Sequence, residues 1–199
     1  MDIRQQSPSS ASDDPLWVFA YGSLIWRPAF PFEARVRSYV DGFARRFWQM
    51  STDHRGVPEK PGRVVTLVPD AATRCWGVSY RIGAAQRASV LEQLAVREKG
   101  GYSLQKVVCV AKDRVATGSF DAVAFVGTPD HAMFAGESTL DEIADIVRGA
   151  VGPSGHNAEY VLRLAEALLE LGVVDEHVFE LANRLVDPMG VLEHDIESS

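Results

Sequence analysis

The order in which two hydrophobic periods occur along the chain restricts its fold more than any other feature. Short apolar runs with strand chemistry fill the first two thirds, and three-to-four spacing takes over in the last third. Grouping strands ahead of helices predicts an α+β fold with an antiparallel or mixed sheet, because a parallel α/β sheet would alternate the two patterns.

The strand pattern starts at "LWVFAY" (16 to 21). It resumes in "RVRSYV" and "GFARRFWQM", with Gly42 expected as a bend or bulge. "RVVTLV" (63 to 68) and "CWGVSYRI" (75 to 82) are separated by "PDAATR", whose Pro and Asp read as a turn, so this pair is expected to form an antiparallel hairpin. In "AAQRASVLEQLAVREK" the period changes: Val90, Leu91 and Leu94 share a helical face, and Gly100-Gly101 provides a stop. "LQKVVCVA" (104 to 111) and "DAVAFVG" (121 to 127) are further strands.

Three helices are predicted in the tail. Thr139 and Glu142 have capping-box spacing ahead of "LDEIADIVRGAV". "AEYVLRLAEALLELG" ends at Gly172, and "DEHVFELANRLV" closes at Asp187-Pro188.

Length bounds the domain count. At 199 residues, 46% of them hydrophobic, the chain can bury one sizeable core. Residues 15 to 187 are read as a single domain, 1 to 14 as a polar disordered arm and 188 to 199 as a tail. A formal net charge of -7 argues against nucleic-acid or acidic-membrane partners and favours a small molecule. Cys75 and Cys109 fall in predicted strands and read as buried free thiols. With no secretory pattern and no membrane-length apolar run, a cytoplasmic location is expected.

Four stretches carry polar chemistry. "FAYGSLIW" (19 to 26) is a strand broken at Gly22-Ser23, where the N–H groups of Gly22, Ser23 and Leu24 could form a concave donor surface for a carboxylate or oxyanion; a plain strand-to-loop turn fits the same residues. Ser23 invites a nucleophile reading, but it lies in no G-x-S-x-G elbow and nothing in the sequence brings His54 to it. "VREKGGYS" (96 to 103) puts Glu98 at a helix C-terminus, where the macrodipole disfavours an acid, before two glycines that suggest a tight bend or close approach; a solvated, fraying turn is the alternative. "ARRFWQMSTDHRGVPEKPGR" (44 to 63) reads as an ordered loop over a pocket, since Asp53 and His54 lack further ligands at metal-site spacing. In "GPSGHNAEY" (152 to 160), Asn157 is the expected helix cap and His156 a loop or capping histidine.

In combination, "YGSLIW", "ARRFWQMSTDHRG", "PGRVVTLV", "WGVSYRI", "VREKGGY", "GPSGHNAEY" and "DEH" resemble the ChaC-like γ-glutamylcyclotransferases that act on glutathione, from about Trp17 to about Leu185. The resemblance implies a small closed or nearly closed β-barrel-like sheet with flanking helices, release of 5-oxoproline and cysteinylglycine, and no cofactor. It implies Glu98 as the catalytic acid/base and Ala20, Tyr21, Gly22, Ser23, Leu24 and Ile25 as the substrate-binding turn. Tyr102 is expected either as an orienting hydroxyl or as a core tyrosine. Arg46, Arg55 and Tyr160 lie in matched segments and are candidates for the substrate carboxylates. Ala20 stands where the family commonly has glycine and Met50 where a small residue is usual, so substrate preference is less determined than reaction type. The alternatives are a cyclotransferase preferring other γ-glutamyl peptides or amines, and a non-catalytic γ-glutamyl-binding protein. A useful base requires Glu98 to rise from about 4.3 to between 6 and 7, roughly 3 kcal/mol, of which a helix terminus supplies about 0.3 to 1. Burial must provide the rest, with Arg97 and Lys99 expected to point away.

Overall fold

The computed structural model describes residues 15–97, 101–112 and 117–186. Five strands close into a barrel in the order β1-β3-β2-β4-β5: β1 (Leu16–Ala20), β2 (Ala34–Ser51), β3 (Gly62–Ile82), β4 (Tyr102–Lys112) and β5 (Thr117–Gly127). All pairings are antiparallel except β1 with β5, which meet in parallel through Val18 and Val123 and seal the barrel. The sheet is therefore mixed, and the α+β reading holds.

β2 and β3 run for 18 and 21 residues. Straight strands of that length would reach about 60 Å, three times an ordinary strand. Register shifts between Asp41 and Phe43 and between Arg46 and Gln49 bend the pair, and the first lies at Gly42 as the sequence predicts. The first half of β2 then lies between β3 and β4, while its second half pairs with β3 and, through a single bridge at Gln49, with Phe134.

The expected hairpin at "PDAATR" is not formed. Residues 63 to 68 and 75 to 82 are successive parts of β3, and both pair with β2. Asp70 makes its local bonds, accepting from Ala72 N at 3.1 Å and Thr73 Oγ1 at 3.2 Å. These bonds bulge the strand outward opposite Gly42, because the long β2 holds partners on both sides of the bulge.

Four α-helices flank the barrel: α1 (Arg87–Arg97), α2 (Leu140–Gly149), α3 (Asn157–Glu170) and α4 (Glu176–Leu185). Val90 and Leu94 of α1 are buried, as the periodicity requires. Among the described residues, no helix is long and apolar enough to cross a membrane. The capping box of α2 forms: Glu142 N donates to Thr139 Oγ1 at 3.3 Å and Thr139 N to Glu142 Oε2 at 2.8 Å. Asp175 caps α4 by accepting from Val178 N. Gly172 follows α3, and the expected stop at Asp187-Pro188 and the expected arm at residues 1 to 14 lie outside the described residues.

α2, α3 and α4 pack on one another and on β2 and β3, burying Ile143, Val147, Leu164, Leu168 and Leu181. Cys75 and Cys109 face Val40 from either side within the barrel wall, and burial pushes both thiols up to about 11, which leaves them unreactive.

His177 of α4 accepts a hydrogen bond from Phe47 N at 3.2 Å and stacks on the Phe47 ring. Burial, with the Arg46 charge next in weight, lowers its pKa to about 4 against the opposing field of Asp175. The folded value lies below the unfolded one, so the stability present above pH 6.5 is lost as pH falls toward 4. At pH 5 the loss is about 2 kcal/mol by this linkage. His177→Gln, which keeps an acceptor but cannot titrate, should flatten the urea midpoint between pH 7 and 5; an unchanged pH dependence would exclude His177 as its source.

Candidate active site

The C-terminal ends of β1, β2 and β5 and the N-terminal ends of β3 and β4 meet at one end of the barrel. A cavity opens there with about 980 Å³ of atom-free space, including its open mouth. Ala20, Tyr21, Gly22, Ser23, Leu24 and Tyr102 all line it. Ile25 does not: it is buried beneath the turn, where its carbonyl accepts from Tyr80 Oη at 3.3 Å.

The turn at 23 to 25 is one round of 3-10 helix, closed by Ile25 N donating to Gly22 O. Its carbonyl side is pinned from below. Arg45 Nε donates to Tyr21 O at 2.7 Å and Tyr80 Oη to Leu24 O at 2.9 Å. Tyr21 Oη donates to Phe125 O, tying the turn to β5. Among the described residues the structure records no acceptor for the main-chain N–H of Gly22, Ser23 or Leu24. Gly22 leaves little room for a side chain: a Cβ there would stand 3.0 Å from both Tyr160 Oη and Val65 Cγ2.

Glu98, Lys99 and Gly100 lie outside the described residues. Arg97, immediately before them, and Tyr102, two positions after Gly100, both line the cavity. Tyr102 Oη donates to Val65 O at 2.8 Å, at the cavity wall. Gly101 has φ +93°, and a Cβ there would lie 2.8 Å from Gln49 Nε2, so the second glycine of the pair serves both the bend and the close approach. Arg97 faces the cavity, while its direction relative to Glu98 lies outside the described residues. Its Nη2 donates to Ser23 Oγ at 2.8 Å, because Ser23 is the hydroxyl that the last turn of α1 meets at the rim.

Ser23 therefore faces a guanidinium, while His54 Nδ1 lies 3.1 Å from Ser154 Oγ. Residues 44 to 51, which the sequence offered both as strand in "GFARRFWQM" and as the start of a loop, belong to β2; the loop proper follows them and carries Asp53, His54 and Arg55 to the cavity. Arg55 Nη1 bonds Glu159 Oε2 at 2.8 Å and His156 O at 2.9 Å, and its guanidinium lies 5.8 Å from the Tyr160 ring centre. Arg46 is not among the lining residues; its Nη1 bonds Arg45 O. Met50 lines the cavity.

Asn157 is not a cap. It is the first residue of α3, fully buried, and its amide clamps the start of β3, accepting from Arg63 N at 2.6 Å and donating to Arg63 O at 2.8 Å. Sequence reasoning also missed Arg27, exposed at the mouth one residue beyond the quoted turn. The only signal was its position immediately after "YGSLIW".

This arrangement has relatives. A family model described as "ChaC-like protein" matches residues 16–187. "Glutathione-specific gamma-glutamylcyclotransferase 1" of Mus musculus is 39% identical over 191 residues, covering 93% of this chain and 83% of that protein. "Gamma-glutamylcyclotransferase 2-3" of Arabidopsis thaliana is 40% identical over 178 residues, covering 85% and 88%. A crystal structure of a selenomethionine-labelled γ-glutamyl cyclotransferase specific to glutathione, from yeast, superposes with a TM-score of 0.80 at 31% identity, covering 85% of this chain and 95% of that one. A closed barrel with the "YGSL" turn at its open end, matched over nearly the whole described length, places the chain in the ChaC-like family.

Proposed function

We propose that the protein is a γ-glutamylcyclotransferase that converts glutathione into 5-oxoproline and cysteinylglycine, with residues 15 to 187 acting as one domain. The observation that carries this reading is the turn at Gly22, Ser23 and Leu24, whose main-chain N–H groups have no acceptor among the described residues while the residues that bear them line the cavity. Fixed donors of this kind stabilise negative charge on a carbonyl oxygen without reorganising as the charge develops.

In the reaction, the α-amine of the γ-glutamyl group loses a proton and its nitrogen attacks the γ-carbonyl carbon. The bond to the cysteinyl nitrogen breaks, and the proton goes to that departing nitrogen. The two proton transfers balance, so one carboxylate can act first as base and then as acid. Glu98 is assigned this role. Support comes from its place in "REKGGY" and from the neighbouring Arg97 and Tyr102 at the cavity wall. Tyr102 is assigned to orienting the γ-glutamyl head and the turn from Ala20 to Leu24 to binding it, with Ile25 supporting from below. The names of the mouse and yeast relatives favour glutathione over other γ-glutamyl compounds. A cytoplasmic site of action is supported by the two free thiols.

Incubating the purified protein with glutathione and separately with γ-glutamyl amino acids, and quantifying 5-oxoproline from each, tests the assignment. Glutathione should be turned over preferentially. Equal or faster turnover of γ-glutamyl amino acids would overturn the substrate, and no 5-oxoproline from any of them would overturn the reaction.

A further inference from the structure

The cavity has a second wall, built without the turn. Ser51 at the end of β2, Asp53, His54 and Arg55 in the loop that follows, and Ser154 all line it. Ser154 sits in a small hairpin between α2 and α3, formed by β6 (Val151–Gly152) and β7 (Gly155–His156).

Loop and hairpin meet main chain to main chain. Ser154 N donates to His54 O at 2.9 Å, and Arg55 N donates to Ser51 Oγ at 3.0 Å. Three glycines show how close the fit is. A Cβ on Gly152 would collide with His54 O and stand 2.5 Å from Gly56 N. One on Gly56 would collide with Gly62 N and stand 2.5 Å from Ser51 O; one on Gly62 would collide with Arg55 O and stand 2.6 Å from Asn157 Oδ1. Packing this dense transmits a displacement instead of absorbing it. The loop that carries Asp53, His54 and Arg55 therefore moves only together with the hairpin or the start of β3.

Asn157 joins these parts. It is 0% exposed, and its main-chain N donates to Ala150 O at 3.0 Å, at the foot of the hairpin. Its side chain holds both main-chain groups of Arg63, the neighbour of Gly62. The amide thus gives Arg63 the two bonds that an antiparallel partner residue would exchange with it.

We infer that Asn157 is a positioning residue for the reaction: acting through Arg63, Gly62 and the main chain of Arg55, it fixes the wall of Asp53, His54 and Arg55 and so sets the width of the cavity. Neither the turn's donors nor Glu98 is part of this loop, so displacing it weakens the binding of substrate and transition state alike. The inference deepens the cyclotransferase reading and rests on it.

Steady-state release of 5-oxoproline by Asn157→Asp is the test. The aspartate is isosteric and keeps an acceptor for Arg63 N, but once ionised it cannot donate to Arg63 O. KM for glutathione should rise about 10- to 100-fold, the cost of a misplacement of about 1 Å, with kcat within about threefold of native. An asparagine that served stability alone would give the reverse: partial unfolding lowers the active fraction and with it kcat, while KM stays native. That split would overturn the inference. Gly152→Ala pushes the same loop from the hairpin side, its Cβ meeting His54 and Gly56 first, and should raise KM in the same way. The double variant should raise KM by less than the product of the two single effects, because both act on one loop; an effect equal to the product would make the sites independent and overturn the shared route. Where Asn157→Asp does not fold, Asn157→Ser and Gly152→Ala carry the same comparison. Calorimetric titration of glutathione in a Glu98→Gln background separates this inference from the reaction. Absence of 5-oxoproline from the native protein counts against the cyclotransferase reading, whereas a glutathione affinity left unchanged by Asn157→Asp overturns the role of Asn157.

Discussion

Glu98→Gln should reduce 5-oxoproline release from glutathione by about 10²- to 10⁴-fold in kcat, the usual contribution of a general acid/base, with KM little changed. The amide is nearly isosteric with the carboxylate and retains a hydrogen-bond acceptor for the substrate's ammonium group, so binding persists. It cannot accept a proton from the α-ammonium group, and without that transfer the nitrogen has no free lone pair for ring closure. Glu98→Asp should recover part of the rate, because it keeps the proton affinity while shortening the reach. A Glu98→Gln protein that turns over glutathione at the native rate would remove Glu98 from the mechanism.

The fold was readable wherever a local pattern meets no competing long-range partner. Val90 and Leu94, the Thr139 and Glu142 box, and the Gly42 bulge all depend on neighbours within a few residues, and all appear as expected. "PDAATR" carries equally good local turn chemistry, but its outcome was decided by β2, whose length no local pattern in β3 reports. Asn157 shows the same effect at a helix start: capping is a local bond, and the buried main chain of Arg63, 94 positions away, takes the amide instead. In the site, the turn and Tyr102 were legible because their motifs are contiguous. The contact of Arg97 with Ser23 was not legible, because the direction of a side chain at a helix end depends on what the helix packs against, and Ser23 lies 74 positions earlier. Arg45 was hidden most thoroughly. In "ARRFWQM" it looks like surface charge, yet its inward position is made tolerable by an aspartate 130 residues downstream.

That aspartate is the site of the largest expected effect on stability. The Arg45 side chain is 0% exposed and Asp175 15%, and Arg45 Nη1 lies 2.6 Å from Asp175 Oδ2. The other guanidinium donors go to main-chain carbonyls, Nε to Tyr21 and Nη2 to Trp76. Removing the carboxylate would leave a buried cation facing only dipoles, a loss of about 3 to 5 kcal/mol for a broken buried pair. Asp175 also caps α4, and the lost bond to Val178 N adds about 1 kcal/mol. Asp175→Ala should therefore lower Tm by about 10 °C or more, a large fraction of a typical folding free energy. Asp175→Asn should cost less, since it keeps the cap and an acceptor for Arg45 while losing the charge. The double variant Arg45→Met with Asp175→Ala should recover part of the stability lost by Asp175→Ala alone, because no charge is then buried unpaired. It should not recover activity. Arg45 Nε is the donor that holds Tyr21 O, and with it gone the residue preceding Gly22 loses its anchor while the barrel stays closed. A double variant as stable as Asp175→Ala or better, yet with kcat/KM at least about tenfold below native, would separate the two roles of this one side chain. Native activity in that variant would show that Tyr80 and the packing of Tyr160 against Gly22 hold the turn without Arg45.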